Sequence, residues 1–191
     1  MRNSLLVRLH PLEIHLVSVV QKAGCTPIID ATNTDVETLP AGAWLRTRPG
    51  RPTPGDGPVI LAELGTPISG RDTWLETTVP RETPAGFVGI VLRGQHAGGL
   101  HGDESALTLL QRCDSAQKVI LVDALTPQDV AVGMTAGAIG VILDDQLLGA
   151  PDFALPKALM ARMASNNTPH PIVVNGLRVA NRATAPVLSP L

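Results

Sequence analysis

The chain has 191 residues, 44% of them hydrophobic and 17% charged, with a formal net charge of −2. That balance describes one globular domain with room for a sizeable core, not a disordered chain. It gives no basis for electrostatic capture of nucleic acid, and no tyrosine, two phenylalanines and two tryptophans leave little for base stacking.

The opening, "MRNSLLVRLHPLEIHLVSVV", has an early arginine, but charges and a proline interrupt any signal-like run. No segment approaches the ~18 apolar residues of a membrane span, so no membrane partner is expected. Cys25 and Cys113 stand far apart, outside any metal-ligand pattern. They read as reduced packing thiols in a cytoplasmic protein. "SLLVRL" predicts a strand, "EIHLVSVVQKAG" a helix closed by Gly24, and "TPIID" a second strand. After that the helices fail. "AWLRTR" and "PVILAEL" read as strands, but "PGRPTPGDG" between them has no helical pattern. A parallel crossover normally takes a dozen residues or more, so the two strands are expected as a hairpin-like pair or with a stripped connection. "GTPISGRDTWLETTVPRETPAG" is turn-rich, with at most a short helical turn around Trp74 and Leu75.

The second half alternates. "FVGIVLRG", "KVILVDA" and "AIGVILDD" predict strands, and "ESALTLLQRC", "TPQDVAVGMTAG" and "ALPKALMARMASN" predict helices. Apolar strands separated by helices of this length indicate parallel βα units. Thr126 and Pro127 suit an N-cap and first turn, and Gly137 suits the stop. The stripe Leu155, Leu159, Met160 and Met163 reads as core. Seven candidate strands with too few helices predict an α/β fold: a shortened or incomplete (β/α) TIM-type barrel with mostly parallel strands. A full barrel takes about 250 residues. We expect a single barrel domain over residues 1–168. Residues 169–191 are expected to add an edge strand at Ile172–Val174 and a proline-containing tail.

Chemistry concentrates in "GFVGIVLRGQHAGGLHGDES", where an apolar strand runs into a glycine-rich turn with two histidines and then a helix start at Asp103-Glu104-Ser105. Together with "AGAIGVILDDQLL", this stretch resembles the flavin-binding barrels of the nitronate monooxygenase (2-nitropropane dioxygenase) family. It looks closest to the version found as a domain in type I polyketide synthases. The resemblance is specific at residues 94–112 and 137–148. It implies an FMN-dependent oxidoreductase, nitronate-oxidising or enoyl-reducing, with flavin over the C-terminal mouth of the barrel. On this resemblance Gly94, Ala97, Gly98, Gly99 and Gly102 would face the cofactor, where glycines permit close approach to a planar ligand.

The match breaks at the residues that do the work. The family's catalytic histidine follows the Gly-Gly pair, but Leu100 stands there and His101 comes one place later; His96 holds the loop's glutamate position. His101 and His96 are the candidate catalytic residues if the backbone rearranges locally. Otherwise both are solvent-facing loop residues. The phosphate loop reads Asp123-Ala124-Leu125 where glycines are expected, with Asp129 nearby, and the last loop begins Asp144-Asp145. Two unit charges 4 Å apart repel by about 4 kcal/mol at an effective dielectric near 20. A helix N-terminus returns only about 0.3–1 kcal/mol, so a phosphate dianion is disfavoured. Asp123, Asp144, Asp145 and Asp30 sit where hard cations can bind, but nothing completes a shell, and no metal is expected.

These departures predict a degenerate barrel acting as a structural or docking module. Its expected partners are polyketide-synthase-type domains or a second copy, through the helix-poor 40–85 region, where uncovered strand faces would be apolar. The alternatives are an active flavoenzyme using the 94–102 loop and a binder of a small-molecule or acyl ligand at the barrel mouth.

Overall fold

The computed structural model describes residues 4–95, 97, 102–122 and 126–143, together with the backbone of 170–174 and 177–181. Eight strands follow one another around a barrel: β1 (Ser4–Leu9), β2 (Thr26–Asp30), β3 (Trp44–Thr47), β4 (Val59–Leu61), β5 (Thr73–Thr77), β6 (Gly89–Arg93), β7 (Val119–Val122) and β8 (Gly140–Leu143). Every neighbouring pair is parallel, and β8 pairs with β1 to close the ring. The expected TIM-type barrel is present, and its strand ring closes. The missing eighth strand is β5, in the segment expected to turn helically at Trp74 and Leu75.

What has been shortened is the cover. A 3₁₀ turn (Pro11–Leu16) leads into α1 (Val17–Lys22) between β1 and β2; α2 (Ala106–Leu110) follows β6, and α3 (Pro127–Thr135) follows β7. The connections 31–43, 48–58, 62–72 and 78–88 contain no helix. β3 and β4 are therefore neither a hairpin nor a usual crossover; they are parallel strands joined by turns. Expected caps do appear. Thr126 accepts from the Asp129 amide, and Asp129 Oδ2 accepts from the Thr126 amide at 2.8 Å, closing a capping box with Pro127 in the first turn. Gly137 leaves that helix at φ +105, as Gly24 leaves α1 at φ +77.

Because side chains alternate along a strand, each strand divides its residues between the barrel interior and the outside. The interior cluster gathers one inward residue from each strand, Leu6, Ile28, Trp44, Ile60, Trp74, Val91, Ile120 and Ile142. Outward residues beneath α2 and α3 form a second cluster with Leu109 and Leu110. A third lies under α1, where Leu16 and Val17 meet Leu9, Ile29 and Leu45.

The helix-free arc does not expose its strands. Leu45, Val59, Leu61 and Leu75 are all buried. The connections themselves cover this face, held by side-chain staples: Arg71 donates to the carbonyls of Gly57 (2.6 Å) and Thr53 (2.9 Å), and Gln117 to that of Arg81 (2.8 Å). Loops can do a helix's covering work when buried carbonyls find such donors. The uncovered apolar faces expected over 40–85 are absent from the described residues.

Residues His170–Val174 (β9) and Leu177–Asn181 (β10) pair antiparallel with each other. The expected edge strand is thus one half of a separate ribbon, since a closed barrel offers no edge to extend. The predicted helix 154–166 lies outside the described residues.

Candidate functional site

In barrels of this topology the C-terminal ends of the strands form the face where chemistry is assembled. One step beyond the interior apolar layer, toward that face, the same inward register carries Arg8, Asp30, Arg46, Glu76 and Arg93. The interior here is ionic.

Arg46 is the hub. Its Nε and Nη2 donate to Glu76 Oε2 and Oε1 at 2.6 and 2.8 Å, a two-pronged contact that crosses over β4. Its Nη1 donates to Asp30 Oδ2 and Oδ1 at 2.9 and 3.1 Å. Arg93 Nη1 meets Glu76 Oε1 at 2.8 Å, and Arg8 Nη1 lies 3.7 Å from Asp30 Oδ2. Thr32 completes the Asp30 shell, donating through Oγ1 (2.7 Å) and its amide (3.1 Å). Glu76 and Arg93 are almost wholly buried, with side-chain exposures of 4% and 2%, while Arg8, Asp30 and Arg46 line the mouth at 14–19%.

Burial alone would push both carboxyls up, because it penalises the charged form. The arginines outweigh it. Glu76 is held below its ordinary range by Arg93 and Arg46, and Asp30 by Arg46, Arg8 and the Thr32 hydrogen bonds. Carboxylates held ionised in this way are poor proton acceptors and do not act as general acids near neutral pH. Among the described residues the layer contains no serine, cysteine or histidine to serve as a nucleophile or base. It can fix charges and recognise them, but it has no acid–base pair.

Of the residues expected to meet a flavin, Gly94, Ala97 and Gly102 are described, in the connection that follows β6. The Gly94 amide donates to the Val122 carbonyl at 3.2 Å, and the Ala97 amide donates to the Gly94 carbonyl at 3.3 Å. A side chain at Gly102 would press on the backbone oxygens of Arg93 and Thr78, each 2.9 Å from the added carbon, so glycine is required where the loop returns. Gly98, Gly99, Leu100, His96 and His101 lie outside the described residues, as do Asp123, Asp144 and Asp145. Asp129, suspected of repelling a phosphate, is committed to capping α3. Asp30 is an ion-pair partner rather than a metal ligand. Among the described residues no three His, Cys, Asp or Glu side chains gather as a metal site would require. The half-buried cysteines are unpaired, and burial pushes the Cys113 thiol up. No helix of the described residues is long and apolar enough to cross a membrane.

The layer itself, apart from Asp30, went unread in the sequence, although a signal for it exists. Five strands carry two apolar residues and then a charge at their last or next-to-last position: Leu6-Val7-Arg8, Ile28-Ile29-Asp30, Trp44-Leu45-Arg46, Trp74-Leu75-Glu76 and Val91-Leu92-Arg93. The first residue of each triplet points inward, so the third does too. Ile142-Leu143-Asp144 repeats the pattern in sequence, its aspartate outside the described residues.

A shallow depression of about 400 Å³ lies at the opposite end of the barrel, lined by Glu82, Thr83, Val88, Asp114 and Lys118 among others. Val88 and Lys118 immediately precede β6 and β7, which places this depression away from the ionic layer.

The Arg46 guanidinium at the mouth is engaged by Glu76 and Asp30 through all three of its nitrogens, and of the residues expected to hold FMN, Gly98 and Gly99 lie outside the described residues.

No protein-family model and no curated protein matches the chain. Among solved structures it is similar to FabK from Thermotoga maritima, at a TM-score of 0.69 and 13% identity over 93% of this chain and 70% of that one. The M276A mutant of the same FabK gives a TM-score of 0.67 and 13% identity, covering 94% of this chain and 74% of the other. At this identity the likeness is one of fold: the chain is a TIM-type barrel sharing the FabK architecture.

Proposed function

We propose that this chain is a divergent nitronate monooxygenase-like barrel of the polyketide-synthase type that has given up the reaction and persists as a structural module. One observation carries the reading: the barrel interior at the catalytic face is taken up by charges that satisfy one another. Replacing a buried ion pair by apolar residues is often neutral or stabilising, so Arg46, Glu76 and Arg93 are not the cheapest way to fill a barrel. Their arrangement favours a fixed, closed mouth over an open site. Leu100 in the base position and Asp123 in the phosphate loop support the same conclusion. A docking role, with a polyketide-synthase-type domain or a second copy as partner, remains part of the proposal. It gets no support from the 40–85 region, whose strand faces are buried. Titrating the purified protein with FMN while following flavin fluorescence is expected to give no saturable change up to millimolar cofactor. Saturable binding with quenching would refute the proposal.

The tight seat of Gly102, where an added side chain would press on the backbone oxygens of Arg93 and Thr78, supports a second reading, an FMN-dependent oxidoreductase, nitronate-oxidising or enoyl-reducing. On that reading flavin binds and His101→Ala abolishes turnover while leaving flavin affinity unchanged.

A further inference from the structure

Helices and charges are distributed unevenly around the barrel. α1, α2 and α3 cover the β1–β2, β6–β7 and β7–β8 crossovers, whereas the four connections from β2 to β6 are turns. The interior ion pairs made by Arg46 and Glu76 fall on that second arc. Arg46 of β3 reaches past β4 to Glu76 of β5 and back to Asp30 of β2, and Arg93 of β6 closes on Glu76. Both tryptophans of the chain lie there as well. Trp44 of β3 and Trp74 of β5 stack with ring centroids 5.9 Å apart, each two residues before a charge of the network on its own strand.

A connection built of turns adds little hydrogen-bonded backbone and no buried helical stripe, so the strands it joins belong to the less stable part of a fold. Strands of such an arc need another tie. A buried pair with two-pronged geometry supplies one, because removing either partner takes an ionic partner away from a charge held inside the fold.

We propose that the Arg46–Glu76–Arg93–Asp30 layer is a latch on the helix-free arc. β3, β4 and β5, held together by the Arg46–Glu76 fork, open as one unit ahead of β7 and β8, and the pairs at its two edges, Arg46–Asp30 and Arg93–Glu76, set how often that happens. While the latch is closed the barrel interior is sealed. When it opens, the stacked tryptophans and the interior layer are exposed from this side.

Native-state hydrogen exchange on the full chain tests the latch. Glu76→Gln is expected to speed exchange of β3, β4 and β5 amides at least about a hundredfold, and of β7 and β8 amides less than about threefold. Arg46→Lys keeps the charge but gives up the fork, so a smaller acceleration confined to the same strands is expected; it also serves if Glu76→Gln does not fold. In the unaltered protein, urea is expected to change tryptophan emission before far-UV circular dichroism. Equal acceleration in all strands, no acceleration in either variant, or coincident urea transitions would overturn the proposal.

Discussion

On one side of the barrel, Leu109 and Leu110 of α2 lie over Ile90, Leu92 and Leu121, in the manner of any βα unit. On the other, Val59 and Leu61 of β4 are as deeply buried, yet the connections on either side of that strand are turns, held by Arg71. Both arcs hide their apolar surface. They differ in what ties the strands together: helices with their own backbone bonds on the first, buried charge across the interior on the second. A parallel strand can evidently dispense with its helix when loop carbonyls are satisfied and the inward face is cross-linked.

The comparison breaks most visibly at Glu76. Glu76→Ala leaves Arg46 and Arg93 facing each other without their shared anion and is expected to cost about 3–5 kcal/mol in urea unfolding. The same layer predicts an acid limit. Both carboxyls are held below their unfolded values, so their contribution is complete above the ordinary carboxylate range and is lost as pH falls through the lower, folded values. Unfolding free energy is therefore expected to decline below about pH 4, and more steeply in the parent than in Glu76→Gln. A variant slope equal to the parent's would remove Glu76 from the account.

Gly89→Ala probes the seam between the arcs. Its added carbon would collide with the Lys118 carbonyl and the Trp74 ring, forcing β6, β7 and the tryptophan pair to shift together. About 1–3 kcal/mol of destabilisation is expected, with altered tryptophan emission in the folded state. Thr126→Ala, at the cap of α3 on the helix-clad arc, should cost about 1 kcal/mol and leave that emission as it was. Emission that changes equally in both variants would mean the arcs are not separable.

The barrel class was legible because most of its strands are apolar runs, and runs such as "KVILVD" admit few other readings. β5 escaped because "TWLET" is half polar and sits among turn residues. Glu76 looks like a loop residue until Trp74 is known to point inward. The same difficulty hid the ionic layer: a charge closing a strand ordinarily marks the start of a loop, and only the repeated parity over five strands shows these charges to be interior. Helix signals around Thr126, Gly137 and Gly24 were local and therefore readable. The glycine loop was found by resemblance, although Gly102's need for a bare backbone depends on Thr78 and Arg93, which only the closed barrel brings beside it.

The central proposal is that the charges at the C-terminal face of this barrel close it and that it holds no flavin. The absorption spectrum of the purified protein between about 350 and 500 nm tests it most directly, because oxidised flavin absorbs there and the polypeptide does not. The account predicts a featureless baseline before and after FMN is added and the excess removed. Flavin bands that survive that removal would contradict it.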